Sequence, residues 1–418
     1  MPARITATLQ FLAANPRLLA FGLLMPFASA FGQTFFIGLF GEPLRTAFEL
    51  SNARFGGLYS LATLTSAGLL MWLGRFMDRV DLRRYTLVVG LAYGGACLFM
   101  AAIPAWAPLL FVAFLLLRLT GQGLMSHIGM TAMGRYFEAG RGRAVSVASL
   151  GFPVAEAMFP PVGVAVIAFL GWRTTWGVLA ALVVLGIVPL ALWLLRGHGE
   201  RERLHQAGMA ARAASGRADG DWRVSQVLRD PRFYLMLPAS LLSPFAVTGV
   251  FFHQAAIVAA KGWTMDLFAA AFVPFAAASV VGTLVTGALI DRLGARRVLP
   301  VAIWPIAAGL ALLALGNASW IALGFMVLTG LTAGATLTLQ GALWAEVYGT
   351  AHLGSVRSMV YGLMVVSTAA SPVLFGAALD SGVSVEGIAT GCVAVAVVAS
   401  GLAVPVAVGA RDAVERPD

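Results

Sequence analysis

Three polar side chains lie deep inside long apolar stretches of the chain. Arg118 lies near the middle of the stretch 107–132 and Gln122 follows four residues later, a spacing that puts both on one face of a helix. Glu156 lies near the middle of the stretch 144–170. An ionisable side chain at the centre of a membrane helix is costly and usually serves a function. Arg118 and Glu156 are therefore candidates for an ion pair, which would act as a structural clamp, or for a site that binds an anion or a proton.

Other polar residues interrupt the apolar stretches elsewhere. Gln33 lies in the first stretch, His253 and Gln254 lie in the seventh, and Gln340 lies in the tenth. Each is a candidate contact for a solute or a proton, and the alternative is hydrogen bonding between helices. The sequence shows no nucleophile–base set, metal-ligand cluster or phosphate-binding glycine loop. It therefore predicts no enzyme activity, no cofactor and no metal site.

The elements that carry these residues are predicted from the distribution of apolar residues. Hydrophobic residues make up 59% of the 418 residues and charged residues 11%, whereas a soluble domain carries about 25% charged residues. Stretches of about 20 apolar residues are long enough to cross a bilayer as helices. Twelve such helices are predicted, at 18–41, 55–75, 85–104, 107–132, 144–170, 174–195, 233–259, 266–290, 298–315, 319–345, 358–379 and 384–408.

Basic residues are distributed unevenly between the two predicted sides. Of the 28 lysine and arginine residues, 23 fall on the side that holds both termini and the 197–230 segment. Cytoplasmic loops carry this excess, so the sequence predicts a bacterial-type inner-membrane protein with both termini in the cytoplasm. Because the arginines fall in short loops, they indicate topology rather than a surface for nucleic acid. We expect a monomer surrounded by lipid.

A short charged motif occurs twice, 213 residues apart. The first copy is formed by Gly74, Asp78, Arg79, Arg83 and Arg84. The second copy is formed by Gly287, Asp291, Arg292, Arg296 and Arg297. The repeat predicts a duplicated six-helix unit, with an N-terminal bundle at 1–196, a cytoplasmic linker at 197–230 and a C-terminal bundle at 231–418.

These repeated motifs resemble the signature loops of the major facilitator superfamily. Arg118 with Gln122 and Gly123 resembles the helix-4 motif of that family, and Gly171-Trp172-Arg173 resembles its turn between helices 5 and 6. Asp81 stands where the signature usually has glycine, and we expect it to tolerate the positive φ of that position. The resemblance implies an all-α fold of twelve transmembrane helices in two pseudo-symmetric bundles. It also implies that the two charged loops form a cytoplasmic gate and that helices 1, 4, 7 and 10 line a central cavity.

The functional hypothesis combines this resemblance with the polar residues. It is a secondary active transporter that moves a small organic solute by alternating access, with proton coupling through Glu156. Gly330 stands where Arg118 aligns in the second half, and a single charged wall is compatible with an organic anion such as a monocarboxylate. The alternatives are a drug or metabolite efflux antiporter of the same fold and a membrane receptor or scaffold that does not transport.

Overall fold

The computed structural model of this protein describes residues 11–78, 80–137, 140–197, 199, 224–349 and 353–409, without the side chains of Arg75, Asp78 and Arg141. The chain forms two compact units, unit 1 at Met1–Arg217 and unit 2 at Ala218–Asp418. The division between them falls within the predicted linker 197–230, most of which lies outside the described residues.

Unit 1 contains six long apolar helices. They are α1 at Pro16–Phe48, α2 at Asn52–Leu73, α3 at Leu82–Ala102, α4 at Ala107–Tyr136, α5 at 142–170 and α6 at 172–194. The last two form one helical stretch of 53 residues, about 80 Å at about 1.5 Å per residue, whereas one crossing of the hydrocarbon core needs about 30 Å. At Gly171 the backbone takes φ 73° and ψ 164°, a conformation that favours glycine, and this residue separates the stretch into two crossings.

Unit 2 contains six more such helices. They are α7 at Pro231–Phe252 with a continuation at Gln254–Lys261, α8 at Met265–Leu293, α9 at Ala295–Leu315, α10 at Ser319–Tyr348, α11 at Leu353–Asp380 and α12 at Val385–Val408. The described residues contain helices and no strand. The prediction of twelve transmembrane helices is therefore confirmed. Large apolar side chains such as Phe169 and Leu315 are mostly exposed, as expected where the surrounding solvent is lipid.

The first helix is longer than predicted and is interrupted near its middle. Ser29–Gly32 forms a tighter 3₁₀ turn, and Gln33 is extended, with φ −82° and ψ 151°, before the helix resumes at Thr34. The predicted span 18–41 is therefore confirmed as a crossing, and the interruption within it was not predicted. In α4, Arg118–Met125 forms a π-helical stretch, a rare form that occurs often at functional sites.

Glycine allows these two irregular segments to meet. A Cβ atom on Gly32 would lie 2.7 Å from the backbone nitrogen of Gln122 and closer still to the carbonyl oxygen of Leu117. No real Cβ is accommodated at those distances, so the break in α1 crosses the π-helical stretch of α4 in backbone contact. This crossing positions the polar residues described below.

Candidate functional site

Arg118 is buried at the crossing of α1 and α4, with 6% of its surface exposed. Its Nη1 donates to the carbonyl of Gly32 at 3.3 Å and to Oγ1 of Thr34 at 3.4 Å. The guanidinium lies 5.1 Å from the ring centroid of Tyr59, whose hydroxyl is 2.7 Å from Thr34 Oγ1. No carboxylate pairs with Arg118 among the described residues, and its buried Nε has no hydrogen-bond partner. The result is a buried cation whose Nε hydrogen is unpaired.

Glu156 is not the partner of Arg118. It lies on α5 between Gly151, which contacts the backbone of Phe27, and Phe159, whose ring is 4.8 Å from that of Phe27. This places Glu156 about one helical turn from the break in α1, on the N-terminal side. Across the described part of the chain, no ion pair or hydrogen bond to Glu156 occurs, and its side chain is half-buried. The predicted ion pair with Arg118 is therefore absent, whereas a proton site at Glu156 stays a prediction.

Gln122 lies four residues after Arg118 in the same π-helical stretch of α4. Its side chain is half-exposed within a membrane-spanning helix, and its carboxamide has no hydrogen bond to any residue that the structure describes. Ser126, four residues further along, has a buried Oγ that also lacks a partner. Leaving such groups without a partner costs about 1–3 kcal/mol each. A run of them on one helix face marks a surface that a ligand or water satisfies.

Gln33 borders the same place from α1. Its Nε2 donates to Oγ of Ser29 at 3.2 Å, and its side chain is half-exposed. The structure thus brings three sequence-predicted residues together and adds two that the sequence reasoning missed, Thr34 and Tyr59. We define the α1–α4 site as Gly32, Gln33, Thr34, Tyr59, Arg118 and Gln122. The missed residues carried only the weak signal of a hydroxyl inside an apolar stretch.

The candidates on α7 are enclosed within unit 2. His253 lies at the interruption of α7, and its Nε2 is 2.7 Å from the carbonyl oxygen of Pro372 on α11. It lines a small apolar crevice together with Phe375 and Cys392. Gln254, the next residue, is fully buried. Both residues therefore serve the packing of α7 in this conformation, and their role towards a solute stays a prediction.

Gln340 on α10 bonds at both ends of its carboxamide. Its Nε2 donates to the carbonyl of Ser240 at 3.3 Å, and its Oε1 accepts from Nε1 of Trp344 at 2.8 Å. It borders a small crevice that Ser240 also lines. Gly330 lies so close to the backbone of Phe275 on α8 that no Cβ fits there. A side chain at position 330 would therefore force α8 and α10 apart.

The predicted gate of unit 2 also contacts a residue outside the repeated motif. Glu346, at the end of α10, accepts a hydrogen bond from the backbone nitrogen of Ala295 at 2.5 Å, and its other oxygen lies 3.8 Å from Nε of Arg296. Gly294 takes φ +87° just before α9. Asp291, Arg292 and Arg297 are exposed, and within the described residues Asp291 forms no ion pair. Gly287 lies half-buried on α8.

The predicted gate of unit 1 differs at its turn. Gly74 begins a 3₁₀ turn that ends at Asp78. Asp81 takes φ −51° and ψ 131°, so the expectation of a positive φ there is wrong. Its carboxylate instead accepts from the backbone nitrogen of Arg84 at 3.0 Å and caps α3, and Arg83 and Arg84 are exposed. Arg79 and the side chain of Asp78 lie outside the described residues.

On the side opposite these loops, basic residues bind loop carbonyls. In unit 1, Nη1 of Arg173 donates to the carbonyl of Ile103 at 2.7 Å. In unit 2, the ammonium of Lys261 donates to the carbonyl of Gly316 at 3.2 Å, to Asn317 at 3.0 Å and to Glu386 at 2.5 Å. We call these two arrangements the loop staples.

Comparisons with known proteins agree with this architecture. The family model for the Major Facilitator Superfamily matches residues 22–302 and 254–417. The chain is 23% identical over 387 residues to an uncharacterized MFS-type transporter, YcxA, of Bacillus subtilis (strain 168), covering 85% of this chain and 87% of that protein. Its fold resembles the crystal structure of the nucleoside transporter NupG, with a TM-score of 0.65 and 14% identity over 93% of this chain and 97% of that one. It also resembles a bacterial homolog of the human lysosomal transporter Spinster, inward-facing and unoccupied, with a TM-score of 0.62 and 17% identity over 94% of this chain and 97% of that one.

Proposed function

The chain belongs to the major facilitator superfamily of membrane transporters, and we propose that it moves a small organic anion by alternating access. The observation that carries the proposal is Arg118, a buried cation with an unpaired Nε and no carboxylate partner among the described residues. A buried charge without a counter-charge is costly. A carboxylate from the solute would supply that charge and complete the hydrogen bonds of the guanidinium.

The two solved structures of similar fold do not identify the solute of this protein. NupG is a nucleoside transporter by its title, and the Spinster homolog is named for a lysosomal transporter. Function depends on the site rather than on the fold. The anion preference therefore rests on Arg118, and we propose a monocarboxylate because unit 2 has Gly330 where Arg118 aligns.

We propose further that protons drive the movement through Glu156. This carboxyl group lies inside a membrane-spanning helix without a protein partner in the described part of the chain. An ionisable group placed in that way is suited to gaining and losing a proton as access alternates. Without a phosphate-binding loop in the sequence, a gradient is the natural energy source.

The topology completes the proposal. The excess of basic residues on the side of the 197–230 segment supports an inner-membrane protein with both termini in the cytoplasm. We propose the bundles 1–196 and 231–418 as the moving parts, in a monomer, with the two charged loops as the cytoplasmic gate. Arg296 and Glu346 in unit 2 support that role because a charged contact of 3.8 Å can open and re-form.

Uptake into liposomes tests the proposal. Purified protein should accumulate labelled monocarboxylates, and an inward proton gradient should increase the accumulation. Arg118→Gln should lower uptake at least about tenfold, because a hydrogen bond to a charged group contributes about 1.5–3 kcal/mol. The matched control is Thr120→Val on the same helix, where the hydroxyl bonds only to the carbonyl of Leu116; its uptake should match that of wild type.

Three results would contradict the proposal. Equal uptake by Arg118→Gln and wild type would show that Arg118 does not bind the solute. Movement of drugs or neutral metabolites instead of acids would favour an efflux antiporter. Saturable binding without any accumulation would favour a receptor.

A further inference from the structure

The open groups of Arg118 and Gln122 lie on one face of α4. In an ordinary α-helix, residues four apart are neighbours, about 5–6 Å between Cβ atoms. A π-helical turn holds more residues than an α-helical turn, so across Arg118–Met125 the two side chains are aligned more closely along the helix axis. The π-helical stretch therefore presents a guanidinium edge and a carboxamide side by side.

The broken segment of α1 decides which edge of Arg118 stays open. Gly32 and Thr34 both accept from Nη1, and the Tyr59 ring covers one face of the guanidinium. Nε keeps its hydrogen without a partner. Because Nη1 and one face of the guanidinium are occupied, a carboxylate can approach Arg118 only from the remaining directions.

The carboxamide of Gln122 offers both a donor and an acceptor. A solute that has only a carboxylate satisfies Arg118 and leaves this amide unsatisfied. A solute with a hydroxyl or carbonyl group close to its carboxylate satisfies both. Sites built to hydrogen-bond a second polar group discriminate strongly against analogues that lack it.

The number of free cations limits the charge of the solute. The other buried basic side chain in the apolar helices that the structure describes, Lys261, already pairs with Glu386 at 2.5 Å. Arg118 is therefore the cation available to a solute in unit 1, and it balances one carboxylate. A second carboxylate would enter the site without compensation.

We propose that the α1–α4 site binds a short monocarboxylate that carries a hydroxyl or carbonyl group next to its carboxylate, with Arg118 holding the carboxylate and Gln122 selecting the second group. This inference rests on the proposed function and deepens it. Gln122 acts here as a specificity-determining residue, because it discriminates between acids that Arg118 binds equally.

Matched pairs of acids test the proposal by equilibrium binding to the purified protein. The pairs are glycolate and acetate, lactate and propionate, and pyruvate and propionate. Wild type should bind the bifunctional member of at least one pair about five- to tenfold more tightly, the effect of one added hydrogen bond. Gln122→Leu should bring that affinity down to the level of the simple acid and leave the simple acid unchanged, while Thr120→Val keeps the full preference.

The outcomes separate this inference from the proposed function. If acids bind and Arg118→Gln abolishes binding, but the preference is absent or survives in Gln122→Leu, the role of Gln122 is wrong and the anion site stands. If no acid binds, or if Arg118→Gln binds all of them as wild type does, both proposals fail. Gln122→Asn, which keeps the amide but withdraws it, provides the second variant should Gln122→Leu not fold, and it should show the same loss of preference.

Discussion

At the residue scale, Glu346 and Asp81 each accept a hydrogen bond from a backbone nitrogen at the start of a helix. Asp81 caps the start of α3 with its own side chain. In unit 2 the aligned residue is Gly294, whose φ of +87° favours glycine, and a glycine offers no side chain for the cap. Glu346 reaches the start of α9 from α10 instead. In each charged loop, one carboxylate thus caps the helix that follows. Asp81 does so from within its loop, and Glu346 does so from a neighbouring helix.

This arrangement predicts a graded effect of substitution at Glu346. Glu346→Ala should lower the stability of the folded protein by about 1 kcal/mol, the usual cost of losing a helix cap. Glu346→Gln should cost less, because the amide oxygen still accepts from the backbone nitrogen of Ala295. Thermal unfolding in detergent measures both variants, with exposed Asp266 in the first turn of α8 changed to alanine as the control. Equal unfolding temperatures for Glu346→Ala and wild type would show that this hydrogen bond does not stabilise the folded protein.

Sequence reasoning identified residues by type better than by partner. Arg118 and Glu156 stood out because charge inside an apolar stretch is rare, and the structure confirms that Arg118 is buried. The ion pair, one of the two alternatives left open, is absent because similar depth on two helices does not fix the direction in which each side chain points. Glu346 was missed because a carboxylate at a helix end looks solvated until the neighbouring helix is in place.

At the element scale, the break in α1 depends on a contact with a distant part of the chain. Arg118 bonds to Gly32 across 86 residues, and the tight crossing with α4 requires glycine at that position. Apolar length predicted all twelve helices and most of their ends. It could not predict the interruption at Gln33, because Arg118, which donates a hydrogen bond to the freed carbonyl of Gly32, lies on another helix.

Gly32→Ala tests the importance of this crossing. The added Cβ would lie 2.7 Å from the backbone nitrogen of Gln122, so α1 and α4 must separate and the contact of Arg118 with α1 must loosen. We expect a loss of about 1–3 kcal/mol from overpacking and reduced anion binding. Gly95→Ala on α3, where a Cβ meets no atom within 4 Å, is the control and should bind anions normally. Normal binding by Gly32→Ala would show that the close crossing is dispensable.

At the scale of the whole molecule, the two units share a plan and differ in its charges. Ile103 and Gly316 are 213 residues apart, the offset of the repeated motif, and so are Arg173 and Glu386. In unit 1, Arg173 donates directly to the carbonyl of Ile103. In unit 2 that position is acidic, and Lys261 lies between the carboxylate and the carbonyl. The loop staples therefore explain why two basic residues, Arg173 and Lys261, lie on the side opposite the arginine-rich loops.

The staple of unit 2 predicts coupled effects of substitution. Lys261→Met should destabilise the protein more than Glu386→Gln, because it removes three hydrogen bonds, whereas the amide oxygen of glutamine still accepts one. The double variant should lose less stability than the sum of the two single losses, since the residues contact each other. Unfolding temperatures of the three variants and wild type provide the cycle. Strict additivity would show that the contact between Lys261 and Glu386 contributes nothing to stability.

The burial of Lys261 has a practical consequence for labelling. It is the single lysine of the sequence, and its side chain is fully buried and ion-paired, so amine-directed reagents find no reactive lysine in the native protein. A lysine introduced at an exposed loop position would therefore be the only accessible lysine side chain to which a fluorophore can be attached. One such residue in each half would allow distance changes to be followed during turnover while every native residue of the α1–α4 site is kept.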